Sequence, residues 1–120
     1  MNYRDLSTVV RGALMAWCAL VTLPVHADGD EHAVGKAVYQ KWCAPCHAPG
    51  ITHPGTHALS VKYAGIKSDV ILEWTDLQPF YVEYMVRHGM SVMPHFRKTE
   101  ISDAELKDLA AYLSRNTPKS

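Results

Sequence analysis

The sequence predicts an all-α fold, a small arrangement of about four to five helices. Three observations predict it. Apolar residues recur at helical spacing, most clearly Leu106, Leu109, Ala110 and Leu113 with Tyr112 beside them. Residues that start and stop helices stand at matching places, among them Pro79, Gly89 and Ser102. No stretch of useful length alternates apolar and polar residues as a strand does, and no internal repeat is present. The 120 residues hold one small domain. Twelve Lys+Arg balance twelve Asp+Glu. That balance excludes the basic excess of a nucleic-acid binder and the charge imbalance of a disordered tail.

The first element is a targeting segment. Residues 1–27 read as a secretory signal peptide. Arg4 and Arg11 supply the positive start, and Gly12 to Leu23 is an apolar run of twelve residues. A bilayer span needs about 20. Pro24 breaks the run, and Val25-His26-Ala27 places small residues where a signal peptidase reads, so cleavage is expected after Ala27. An uncleaved membrane anchor is the alternative. Cys18 leaves with the segment, and Trp17 before it is too bulky for a lipoprotein site. The remaining domain, 28–120, is 93 residues with ten basic and eleven acidic side chains, a formal charge of −1. So small a core gains much from a bound prosthetic group.

Within the domain, Asp28 to His32 is polar. Ala33 to Trp42 reads as a helix with Val34, Val38 and Trp42 on one face and Tyr39 close by. Ala48 to Thr56 holds Pro49, Gly50, Pro54 and Gly55 and reads as a loop. Ser68 caps a short helix through Trp74. Pro79 opens and Gly89 ends another, with Val82, Met85 and Val86 at helical spacing. Ser102 with Glu105 forms a capping box for the last helix, Asp103 suits its first turn, and Pro118 closes it.

The chemistry lies in Cys43-Ala44-Pro45-Cys46-His47. C-x-x-C-H is the attachment sequence for c-type haem. Two thiols three residues apart lie on one side of a helical turn and reach the two vinyl-derived carbons of the porphyrin. His47 then projects its imidazole under the iron as an axial ligand. Two nearby cysteines have other uses. A thioredoxin-like dithiol needs a βαβ setting that is not visible here. Zinc needs four ligands, to which His53 and His57 are the available additions. A disulfide between Cys43 and Cys46 is the third. Export and the helical pattern favour haem.

The second axial ligand is expected far along the chain, at Met93 in Gly89-Met90-Ser91-Val92-Met93-Pro94. Pro94 disfavours helical geometry at Met93 and holds that backbone extended. A thioether favours ferrous iron and raises the potential. Met90 is the competing sulfur, nearer the helix end and without a following proline.

These residues, with Gly35 and Tyr39 before the motif and Leu106, Leu109, Tyr112 and Leu113 after it, resemble class I cytochromes c along essentially the whole domain. More narrowly, Val86-Arg87, Gly89, Met93-Pro94 and Phe96 resemble the small cytochrome subunits of periplasmic dehydrogenases. The resemblance implies a small cytochrome c fold around one haem c, covalently bound through two thioethers, with first and last helices crossing near Gly35 and Tyr112. It implies a proline carbonyl against the haem histidine's free N–H, for which Pro54 is the first choice and Pro49 the second. It makes Trp74 a candidate partner for a haem propionate, with a plain core tryptophan as the alternative, and Arg87 another. His88 and His95 are expected at the surface.

The implied function is one-electron transfer in the periplasm. With His47 and Met93 on the iron, no coordination position is open for a substrate, so the chain is not expected to be an enzyme. The expected partners are redox proteins: a periplasmic dehydrogenase as donor and another cytochrome or oxidase as acceptor. No nucleic acid is expected, nor a stable membrane span after signal cleavage. Docking is expected at the haem edge near Ala44, Pro45, Val92 and Pro94, over a small, locally apolar contact. Two alternatives remain: a tightly associated subunit of a dehydrogenase complex, and a ligand-binding haem sensor if Met93 does not bind iron.

Overall fold

The computed structural model describes residues 30–119. The signal-peptide reading, its cleavage after Ala27 and Cys18 lie outside the described residues. Among these residues the regular structure is helical, apart from one isolated bridge between Met90 and Met93. The elements are α1 (Ala33–Val38), a π-helical turn (Tyr39–Cys43), α2 (Ala44–His47), α3 (Pro54–Lys62), a 3-10 turn (Ile71–Glu73), α4 (Pro79–His88) and α5 (Asp103–Leu113). No helix among them is long and apolar enough to cross a membrane.

The first helix runs further than its pattern implies. α1, the π turn and α2 follow one another without a break and carry the chain to His47. The wider π turn shifts the helical register by one residue. Tyr39 is fully buried and Trp42 packs against the core edge, while Val34, expected on the same face, is 55% exposed.

α1 crosses α5 at Gly35. A Cβ there would lie 2.6 Å from the Asp108 carbonyl carbon and 2.7 Å from the Tyr112 Cβ. Only glycine allows the two backbones to come so close, as the resemblance implies. α5 presents Leu106, Leu109, Ala110 and Leu113 to the core. Its start is the predicted capping box: Glu105 N–H donates to Ser102 Oγ (3.2 Å), and Ser102 N–H donates to Glu105 Oε2 (2.8 Å). It ends at Leu113, before Pro118. The Ser114 hydroxyl turns back onto the Ala110 carbonyl (2.7 Å). The tail then ties to the middle of the chain, with Asn116 Nδ2 donating to Leu72 O (2.8 Å) and Thr117 Oγ1 to Leu77 O (3.0 Å).

α4 matches its prediction. Pro79 occupies its first turn, Val82 and Val86 are buried, and Gly89 ends it at φ 71°. Two segments differ. The stretch read as a loop, 48–56, is a loop only as far as His53, because Pro54 starts α3. Pro at a first helical position costs nothing, since its missing N–H would have no intrahelical partner. α3 has almost no apolar stripe, and Thr56 is its one buried residue. The helix expected from Ser68 to Trp74 is a single 3-10 turn. The Ser68 hydroxyl accepts from Val70 N–H (3.1 Å) and donates to Glu73 Oε2 (2.7 Å).

Candidate haem site

The C-x-x-C-H motif lies at the free end of the long first helix, with Pro45 in the first turn of α2. Cys43 is half-buried, Cys46 is exposed, and both are free thiols. Burial, with Cys46 as the lesser cause, pushes the Cys43 thiol up to about 12. Among the described residues no three His, Cys, Asp or Glu side chains stand close enough to hold a metal ion. The zinc reading therefore has no donor set.

Several contacts hold this helix end in place. The Tyr39 hydroxyl donates to the His47 carbonyl (2.9 Å), and burial raises its pKa to about 12, so it stays a donor. The Tyr39 ring packs on Tyr112 of α5, with centroids 5.9 Å apart. Beyond His47, the buried Thr56 hydroxyl donates to Ala48 O (2.8 Å). His53 Nδ1–H donates to the Pro45 carbonyl (3.1 Å) and ties the loop to the motif's own backbone. His57 is exposed.

Burial lowers the pKa of His47 and keeps its ring neutral. Its Nδ1 is buried and has no hydrogen-bond partner. The proline carbonyl expected there does not reach it, from Pro54 or from Pro49. The reason is local: Pro54 is committed to the first turn of α3, and the next residue, Gly55, meets the ring instead. A Cβ at Gly55 would lie 2.8 Å from His47 Cε1 and 2.9 Å from Nδ1. This bare backbone is a cradle for the imidazole edge, with Nδ1 turned in, which leaves Nε2 as the nitrogen that could coordinate. Two thiols at the right spacing and a neutral imidazole so held fit a c-type haem.

Met93 lies beyond α4 on a tight hairpin. Met93 N–H donates to Met90 O (2.9 Å), and Met90 N–H donates to Met93 O (3.1 Å). Ser91 takes a positive φ of 53° in the turn. Met93 is partly buried and Met90 is 46% exposed. Gly89 makes the hairpin possible, because a Cβ there would meet Met93 O at 2.5 Å. The chain then docks back on α4 through Phe96 N–H to Val86 O (2.8 Å). Phe96 packs its edge on Trp42, the residue before Cys43, with centroids 5.8 Å apart. That contact joins the region of the methionine hairpin to the C-x-x-C-H helix.

The two candidate propionate partners are occupied elsewhere. Trp74 is buried and its Nε1–H donates to the Ser68 carbonyl (2.7 Å). Arg87 donates to Phe96 O (3.1 Å) and pairs with Asp103 (3.0 Å), fastening the chain after Met93 to the start of α5. His88 and His95 are exposed, as expected, and His88 stacks on Tyr84 at 4.2 Å. The residues that the sequence reading passed over are Gly55, Thr56, Trp42 with Phe96, and the second duty of Gly89. Only the Pro54-Gly55 pair gave a signal, and it read as a turn.

A helical domain with the C-x-x-C-H motif at the end of its first helix, and that helix crossed by the last, defines a small cytochrome c. Residues 30–113 match the family described as cytochrome C oxidase, cbb3-type, subunit III, and the chain belongs to that family. Membership implies covalently bound haem c with its iron and an electron-transfer role rather than an enzyme's. Among curated proteins the chain is similar to the 4-cresol dehydrogenase [hydroxylating] cytochrome c subunit of Pseudomonas putida, 27% identical over 106 residues, 88% of this chain and 80% of that one. No solved structure matches it.

Proposed function

We propose that the protein is a periplasmic one-electron carrier with His/Met axial ligation. Cys43 and Cys46 hold the haem through thioethers, and His47 Nε2 and Met93 Sδ are the axial ligands. The bound haem supplies one reversible electron at its iron. The protein's part is to fill both axial positions, so that no small molecule competes, and to hold them still. Tyr39, Thr56 and Gly55 fix His47; Gly89 and Arg87 fix the hairpin and the chain after it. The observation that carries this reading is the Trp42–Phe96 contact, which ties the helix bearing the two thiols to the segment bearing Met93.

Docking is assigned to an apolar rim of Pro45, Pro94 and Val92, which are exposed, Val92 at 84%, with Ala44 half-buried. The near-neutral domain gives little long-range steering, so association rests on local fit. A lasting place in a dehydrogenase complex is supported by the relative, itself a cytochrome subunit of a dehydrogenase. Residues 1–27 support export.

Potentiometric titration of the purified holoprotein tests the carrier reading. It should follow a one-electron curve in both directions, with the haem remaining on the chain after denaturation. Cys43→Ser or Cys46→Ser should lower holoprotein yield severely. Haem released by denaturing the wild type would contradict the attachment.

A further inference from the structure

Met90 and Met93 exchange both backbone hydrogen bonds across a turn of only two residues, Ser91 and Val92. Residues opposed in this way project their side chains from the same face, with Cβ atoms about 5 Å apart. A slip of one residue would turn one side chain to the other face. The register is pinned against that slip. Ser91 is locked at φ 53° and Gly89 at φ 71°, and the space at Gly89 is filled by the Met93 carbonyl. The hairpin therefore presents two thioethers side by side.

Whichever face Met93 turns to the iron, Met90 shares. We propose that Met90 is a reserve axial ligand, a second sulfur that takes the iron when Met93 is lost or displaced. The proposal rests on the His/Met reading above. Met90 is 46% exposed, so its side chain is not committed to the core. Its thioether has three rotatable bonds, enough to cover the short gap to its neighbour's position.

The test compares Met93→Leu, Met90→Leu and the double variant as holoproteins. It reads the weak far-red band of ferric sulfur-ligated haem and carbon monoxide binding by the ferrous form. Leucine keeps the volume and removes the sulfur. The proposal expects Met93→Leu to keep the band and exclude carbon monoxide, and the double variant to lose the band and bind the gas. If Met93→Leu already behaves as the double variant does, the reserve role is overturned and Met93 stands as ligand. If Met90→Leu alone abolishes the band, or if the double variant keeps it, both the reserve role and the Met93 assignment fall. Should Met93→Leu fail to accumulate, the wild type decides through methionine labelled at its methyl carbon. In the ferrous protein the haem ring current should displace two methionine methyls, the ligand's strongly and the Met90 methyl less. A Met90 methyl at its ordinary position overturns the proposal.

Discussion

His47 ends a continuous helical run from Ala33 whose root is clamped to α5 at Gly35, while Met93 stands on a two-residue turn held by two backbone hydrogen bonds. The first proposed ligand inherits its position from helix packing, which involves the fully buried Tyr39 and Leu109. The second depends on local geometry at Gly89, Ser91 and Pro94, backed by one aromatic contact and the Arg87 fastening. A protein built this way should lose its fold when the histidine side is disturbed. When the methionine side is disturbed, it should lose its ligation with a smaller loss of stability.

Gly35→Val breaks the comparison at its strongest point. The added carbons would overlap the Asp108 carbonyl and Tyr112, and overpacking of this kind costs about 1–3 kcal/mol or more. Because the contact is backbone to backbone, neither partner can swing away, and the upper end applies. Expected is a large fall in the denaturation midpoint and in holoprotein yield. An unchanged midpoint would mean that the helices do not cross there.

Gly89→Ala tests the other side. The positive φ and the 2.5 Å approach to Met93 O both oppose a side chain. The conformational part alone is about 1–2 kcal/mol. Expected is a moderate loss of stability together with a lower reduction potential and a weakened far-red band, as the hairpin is pushed off its seat. A normal spectrum and potential would separate Gly89 from ligand placement.

Ser102→Ala removes a cap from the helix that clamps α1 and touches no part of the site. It should lower stability by about 0.5–2 kcal/mol and leave the haem spectrum alone. A chemical denaturation midpoint that does not move counts against the cap.

Acid should act through the same region and more weakly. The Ser102 hydroxyl and N–H hold the Glu105 carboxyl below its usual value. Lys98, then Arg87, do so for Asp103, and the Arg97 N–H, then its side chain, for Glu100. A carboxylate with a depressed folded pKa contributes stability above its unfolded value, near pH 4, and loses it as pH falls through the folded value. These groups are exposed, so each contribution is small. The share of the denaturation midpoint that these carboxylates carry should decline as pH falls below about 4. A midpoint that rises on acidification would reverse the sign.

How far the sequence could be read follows the same division. The start and apolar face of α5 are legible because its cap, first-turn acids and apolar stripe agree, while its end at Leu113, short of Pro118, is not; the Gly35 crossing follows from the resemblance. α3 was not legible, because Pro54-Gly55 is a turn signal in isolation and the helix it opens has one buried residue, Thr56. The π turn leaves no periodic signature, so the helix was drawn to end at Trp42 instead of His47. For Trp74 the sequence leaves a propionate partner and a plain core residue both open, and the structure fits the second, because its acceptor, the Ser68 carbonyl, is a backbone atom brought close by a 3-10 turn. The C-x-x-C-H thiols and imidazole were plain in the sequence. The Gly55 cradle under His47 was not, because it arises from α3 folding back on the motif.

The central claim is that both axial positions are filled by this chain's own side chains. Its most direct test is the wild-type holoprotein under carbon monoxide at neutral pH. The account predicts that the ferrous spectrum does not change on adding the gas and that the ferric form shows the far-red band of sulfur ligation. Ready formation of a carbon monoxide complex by a ferric-bandless protein would contradict it and leave a ligand-binding haem protein in place of an electron carrier.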